Sequence, residues 1–151
     1  MSEEIKQSIA VNASREKVFN ALVKADELVR WFLSRAESDP RPGGKFRYEW
    51  HFQDSSQDGA QEGAYQEVIP PEMISYPWEA GNESTRVEFR LSNVDGGTRV
   101  DLSHSGWGSG QESEEVRQMH AQVWSGYMNN LKLYLEKGED QRAAMMDQIT
   151  I

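Results

Sequence analysis

Residues 43–52, GGKFRYEWHF, set Phe46, Tyr48, Trp50 and Phe52 at every second position, with Lys45, Arg47, Glu49 and His51 between them. Successive side chains of a strand point to opposite faces, so the stretch predicts a strand with one aromatic face and one charged face. A row of large rings needs a second layer to cover it. Two uses of that layer are open: solid core, or the lining of a chamber for something else.

The covering layer is legible further along. From Glu114 to Lys137 there is neither proline nor strand-like alternation, and Val116, Met119, Val123, Trp124, Tyr127, Leu131 and Leu135 recur at helical steps. The spacing predicts one amphipathic helix over 114–137, about six turns at 3.6 residues each. Gly138 is a natural stop. Its apolar stripe is expected to face Phe46, Tyr48 and Trp50.

The remaining elements fill in around this pair. IKQSIAV (5–11) reads as a first strand, with Ile5, Ile9 and Val11 on one face. Ser14 is a candidate N-cap for a helix carrying Val18, Phe19 and Leu22. ADELVRWFL predicts a second short helix with Leu28, Trp31 and Phe32 inward and acidic residues in its first turn. SDPRPGG (38–44) predicts a loop, and QDSSQDGAQEG (53–63) an exposed turn. AYQEVIP (64–70), MISYPW (73–78), TRVEFRLSNV (85–94) and TRVDLSH (98–104) read as strands, the last two joined by a DGG hairpin. The first of these alternates too weakly to say whether Tyr65 or Gln66 points inward. In the others Ile74, Tyr76 and Trp78, then Val87, Phe89 and Leu91, then Val100, Leu102 and His104 share faces. GWGSGQESEE (106–115) predicts a glycine-rich loop. The sum is an α+β fold with two layers: a strand, two short helices, five or six antiparallel strands and one long helix. One domain is expected over 1–138, with a tail, 139–151, that frays or docks on a partner chain, as monomer or homodimer.

Composition narrows the function classes. The 151 residues hold no cysteine, which removes disulfides and thiolate metal sites. A formal charge of −9 repels phosphate backbones, so no nucleic-acid partner is expected. No apolar run approaches the ~20 residues of a spanning helix, and the start, MSEEIKQ, lacks the features of a secretory signal, so a cytoplasmic protein without membrane contact is expected. Arg30, Arg35, Arg41, Lys45 and Arg47 fall close together in sequence, either as a solvated surface with ordinary ion pairs or as an anion-attracting rim.

Catalytic signals are sparse. His104 falls in phase with inward-facing Val100 and Leu102, where it would hydrogen-bond a ligand, act as a general base, or simply be satisfied within the core. His51 alternates with the aromatic face and is expected outside, beside Glu49. A zinc-like site would need His51, His104 and His120 to converge from separate elements, so no metal is expected. Glu88 alternates to the outside and Glu67 is ambiguous. There is no nucleophile elbow, P-loop or dinucleotide fingerprint, and no catalytic residue or cofactor is assigned.

Several strings in order carry a resemblance: NASREKVFNALVKADELVRWF, RPGGKFRYEW, EVIPPEMISYPWE, GGTRVDLSHSGW and VWSGYMNNLKLYLEKG. Across roughly residues 4–138 the chain resembles the helix-grip superfamily, also called START-like or SRPBCC and typified by the birch pollen allergen fold. Within it, the sequence is similar to the family related to the C-terminal domain of the activator of heat-shock protein 90 ATPase. The resemblance implies a bent antiparallel sheet wrapped around a long C-terminal helix, with a deep apolar cavity between them. It implies as partner a hydrophobic small molecule or, for some members, a chaperone; a separate N-terminal domain found in the eukaryotic activator has no room here. The candidate cavity residues are Trp31, Phe46, Tyr48, Trp50, Tyr76, Trp78, Phe89, Leu102, His104, Met119, Val123, Trp124 and Tyr127. The expected function is binding of an unidentified hydrophobic or aromatic molecule, lipids included. A heat-shock protein 90 interaction module, and a cyclase- or hydrolase-like enzyme using His104, are the alternatives.

Overall fold

The structure is a computed structural model and describes residues 4–52 and 58–142. In chain order the elements are β1 (Ile5–Val11), α1 (Arg15–Val23), α2 (Ala25–Trp31), β2 (Arg35–Ser38), β3 (Lys45–Trp50), β4 (Gly59–Ala64), β5 (Glu67–Ile69), β6 (Met73–Ala80), β7 (Glu83–Val94), β8 (Gly97–Ser105) and α3 (Gln111–Lys137). Antiparallel strands, two short helices after the first strand and one long C-terminal helix make this the helix-grip arrangement.

Local chemistry sets most boundaries. The Ser14 hydroxyl accepts from the Lys17 N–H at 3.3 Å and so caps α1. Gly138, at φ 67°, ends α3 in the left-handed region that other residues resist, and its N–H bonds the Tyr134 carbonyl. At the β7–β8 hairpin, Val94 pairs with Gly97 and Gly96 takes φ 81°. On α3, Trp124, Tyr127, Met128 and Leu131 are buried on one face. Burying Met128 and Leu131 alone contributes roughly 1.5–3 kcal/mol each. The helix also covers the free edge of β1. Gln7 Nε2 donates to the Ala121 carbonyl at 2.8 Å, and Lys132 Nζ to the Ala10 carbonyl at 2.6 Å.

Several expectations are corrected. β4 occupies part of the predicted turn 53–63, and residues 53–57 of that turn lie outside the described ones. β2 begins three residues ahead of the predicted loop. Neither GAQEGA nor RAES carries an apolar face; both become strands by pairing with β3, Trp50 opposite Gly59 and Phe46 opposite Ser38. β5 is confined to Glu67–Ile69, and just before it Tyr65 is buried while Gln66 is exposed. The long helix starts at Gln111 rather than Glu114.

The strands form two ladders rather than one: β1-β8-β7-β6-β5 and β2-β3-β4. The break falls between β4 and β6, and Pro77 supplies a physical reason. The Glu79 N–H points toward β4, and two residues earlier Pro77 has no N–H to offer on that side. Its ring lies against β4 so closely that a Cβ on Gly63 would sit 3.0 Å from Pro77 Cγ. In place of a ladder, the Gln61 carboxamide joins the strands. It donates to the Glu79 carbonyl at 2.7 Å and accepts from the Glu79 N–H at 2.9 Å.

This break redistributes the aromatic face. Phe46 packs on Tyr65 and Tyr76, with ring centroids 5.1 and 5.4 Å away, and Tyr48 packs on Phe32 and Tyr76 at 6.2 and 5.7 Å. A chain of hydroxyls runs from Tyr48 to Tyr65 (2.5 Å), to Ser38 (2.7 Å) and on to the Val23 carbonyl (2.5 Å). Burial pushes the Tyr48 and Tyr76 phenols well above their ordinary value, so they stay neutral.

The first residues after α3 dock on the chain's own α2. Buried Asn130 donates to the Trp31 carbonyl at 2.8 Å and accepts from the Gln141 N–H at 2.8 Å. Arg142 donates to the carbonyls of Leu33 (2.8 Å) and Val29 (3.0 Å), satisfying acceptors that a helix end leaves unpaired.

Candidate functional site

Where the two ladders part, a pocket of about 170 Å³ opens between the β4–β6 break and α3. Its walls are Phe32, just after α2, Trp50 at the end of β3 and Phe52 beyond it, Gly59, Ala60 and Gln61 of β4, Trp78 of β6, and Met119, His120, Val123, Trp124 and Tyr127 of α3. Four of these rings form a closed circuit. Phe32–Trp50, Trp50–Trp78, Trp78–Trp124 and Trp124–Phe32 are 5.5, 5.5, 5.5 and 5.6 Å apart between centroids. These are ordinary aromatic pairing distances. Met119, 43% exposed, hangs over the mouth.

Six of the thirteen candidate cavity residues line this pocket: Trp50, Trp78, Met119, Val123, Trp124 and Tyr127. The other seven, Trp31, Phe46, Tyr48, Tyr76, Phe89, Leu102 and His104, are buried but are not among its walls. Phe32, Phe52, Gly59, Ala60, Gln61 and His120 belong to the wall without having been singled out. The aromatic alternation of β3 did contain Phe52, and Phe32 stood on the inner side of the second helix. The β4 residues carried no signal, because their place follows from the ladder break.

The histidines act as internal acceptors. An indole N–H can only donate, so the 3.0 Å contact from Trp124 Nε1 leaves His104 Nδ1 unprotonated. His104 Nε2–H then donates to Thr85 Oγ1 at 2.7 Å, and that hydroxyl donates to the Trp78 carbonyl at 2.6 Å. The same logic holds for His120. Its Nε2 accepts from Trp78 Nε1 at 3.3 Å and its Nδ1–H donates to the Val116 carbonyl at 2.9 Å. Burial, with His120 nearby, lowers the His104 pKa to about 3, and burial also lowers that of His120. Both rings are therefore neutral, with each nitrogen occupied. They hold Trp78 and Trp124 in place.

Tyr127 gives its ring to the wall, while its buried hydroxyl has no hydrogen bond of good geometry among the described residues. Burial raises this phenol to about 12, although Arg142 and the approaching Trp50 indole N–H pull the other way. His51 lies outside, 2.9 Å from Glu49 and 3.3 Å from Asp58, and those carboxylates raise its pKa. Among the described residues no group of His, Asp and Glu could hold a metal ion, and no helix is long and apolar enough to cross a membrane. Arg47 pairs with Glu49 and Glu62, and Arg41 with Asp39. Glu67 and Glu88 both pair with Arg86.

Comparison with known proteins follows the same outline. No protein of curated function matches the chain. Among solved structures, the Aha1 dimer from Colwellia psychrerythraea is 24% identical with a TM-score of 0.75, over 91% of this chain and 99% of that one. Protein BH1534 from Bacillus halodurans is also 24% identical, with a TM-score of 0.73 over 89% of this chain and 98% of that one. DynU16, a putative protein in the dynemicin biosynthetic locus, is 20% identical with a TM-score of 0.73, over 92% of this chain and 49% of that one. At these identities the likeness concerns the fold. Residues 12–136 match the family described as Activator of Hsp90 ATPase homolog 1-like protein, and the chain belongs to that family.

Proposed function

We propose that the protein is a non-enzymatic cytoplasmic binding protein, holding a small hydrophobic molecule in the pocket between α3 and the β4–β6 break. The observation that carries this reading is the pocket itself: six aromatic side chains converge on an open volume of about 170 Å³ instead of filling it. Binding sites are typically apolar concavities with few polar groups, and this one is smaller than the ~300–1,000 Å³ usual for drug-sized ligands. The occupied histidines favour binding over catalysis, since neither has a free nitrogen to move a proton. Trp50, Trp78 and Trp124 report directly on an occupant. Tryptophan emission and melting temperature during titration with apolar probes and a lipid panel test the reading. A shifted emission and a raised melting temperature are expected for at least one class; no response across chemically varied compounds refutes it.

A second reading is contact with a heat-shock protein 90 chaperone, supported by the family description and by the likeness to an Aha1 dimer. Co-purification with the cognate chaperone and a change in its ATPase rate are the expected signs. Absence of both removes it.

A further inference from the structure

Most polar side-chain atoms of the pocket are already spent; the exceptions are the Tyr127 hydroxyl and the Trp50 indole N–H that approaches it. The N–H groups of Trp78 and Trp124 go to His120 and His104, both nitrogens of His120 are taken, and the Gln61 carboxamide is used twice on Glu79. The Tyr127 hydroxyl is itself buried, so it is not exposed to solvent. No Asp, Glu, Lys or Arg is among the lining residues. An occupant therefore meets ring surfaces and the side chains of Met119, Val123 and Ala60, with no committed counter-charge and few free donors.

These facts discriminate among hydrophobic ligands. An ionised carboxylate or phosphate entering the pocket would lose its water and gain no charged partner, a cost of several kcal/mol or more. The formal charge of −9 disfavours anions before they arrive. A flat ring loses little water, and it meets neighbours able to pair edge-to-face or offset at about 4.5–7 Å. The volume, about 170 Å³, is slightly above the roughly 150 Å³ apolar cavity that takes up benzene in an unrelated protein.

Building on the proposed binding function, we infer that the pocket selects an uncharged aromatic molecule of one or two rings and rejects acids, including fatty acids. Calorimetric titration of the full chain with toluene, indole, benzoate and octanoate tests the class. tert-Butylbenzene and phenyltrimethylammonium form an added pair, matched in shape and differing in charge. Toluene and indole should bind, and benzoate should be at least about tenfold weaker than toluene because its charge is stripped of solvent. Val123→Phe and Ala60→Phe fill the pocket from opposite walls. Either one, if its melt remains cooperative, should weaken indole by about tenfold or more.

Benzoate or octanoate binding as tightly as toluene would overturn the selection rule while leaving the binding function standing. Phenyltrimethylammonium binding more tightly than tert-butylbenzene would overturn it in favour of a cation held on ring faces. Indole binding undiminished in both filled variants would overturn the location. Silence from every compound would remove the binding function itself, and the rule with it.

Discussion

Replacing His104 with Gln should flatten the acid sensitivity of the fold by an amount set by one buried imidazole. In the folded chain His104 is neutral, with a pKa lowered from 6.5 to about 3 by burial and by His120. The unfolded chain regains the ordinary value. Between those two values the unfolded state binds the extra proton, so stability is full above pH 6.5 and falls as pH drops toward 3. From pH 7 to pH 5 the loss from this residue is about 2 kcal/mol, and it changes little if the folded value is a unit higher. Gln cannot titrate, yet its carboxamide can accept from Trp124 and donate to Thr85. The variant should be about 1–2 kcal/mol less stable at pH 7 and lose about 2 kcal/mol less than the parent on going to pH 5. His120 and His51 are present in both proteins, so the difference isolates His104 together with its coupling to His120. Urea melts of both proteins at the two pH values measure it. An equal acid loss in parent and variant would refute the account of His104 as a neutral, doubly bonded core residue.

Asn130→Ala should cost about 2–3 kcal/mol in urea melts, because it strips hydrogen bonds from the Trp31 carbonyl and the Gln141 N–H. A cost below about 0.5 kcal/mol would show that residues after α3 contribute nothing to holding α2. Tyr127→Phe removes a buried hydroxyl without a well-formed partner, so the melting temperature should stay level or rise. A loss above about 1 kcal/mol would mean that the hydroxyl is satisfied. Gly63→Ala drives a Cβ to 3.0 Å from Pro77 Cγ and 3.4 Å from the Phe46 ring, and should destabilise by about 1–3 kcal/mol. Unchanged stability would show that β4 can move away from β6 freely.

Much of the architecture was readable because its signals are local. The caps at Ser14 and Gly138, the hairpin at Gly96 and the α3 stripe are matters of a few neighbouring residues and one helical period. The site was half readable. Trp50, Trp78 and Trp124 declared themselves by size and phase, yet the same reasoning placed Phe46 and Tyr48 beside them, whereas those two are not among the pocket's walls. A period of two assigns a residue to a face; it does not say which part of a bent face a helix covers.

The sequence by itself determined the layer plan, the membership of the core and the family. The tertiary structure decided where the layers fail to close. A missing N–H at Pro77 matters only once β4 lies beside it, and GAQEGA becomes a strand only when β3 offers its edge. Likewise His104 and His120 become fixed acceptors only when Trp124 and Trp78 arrive from elements distant in the chain. Periodicity encodes which way a side chain points, but a pocket is a relation among elements, set by which backbone groups find partners and which do not.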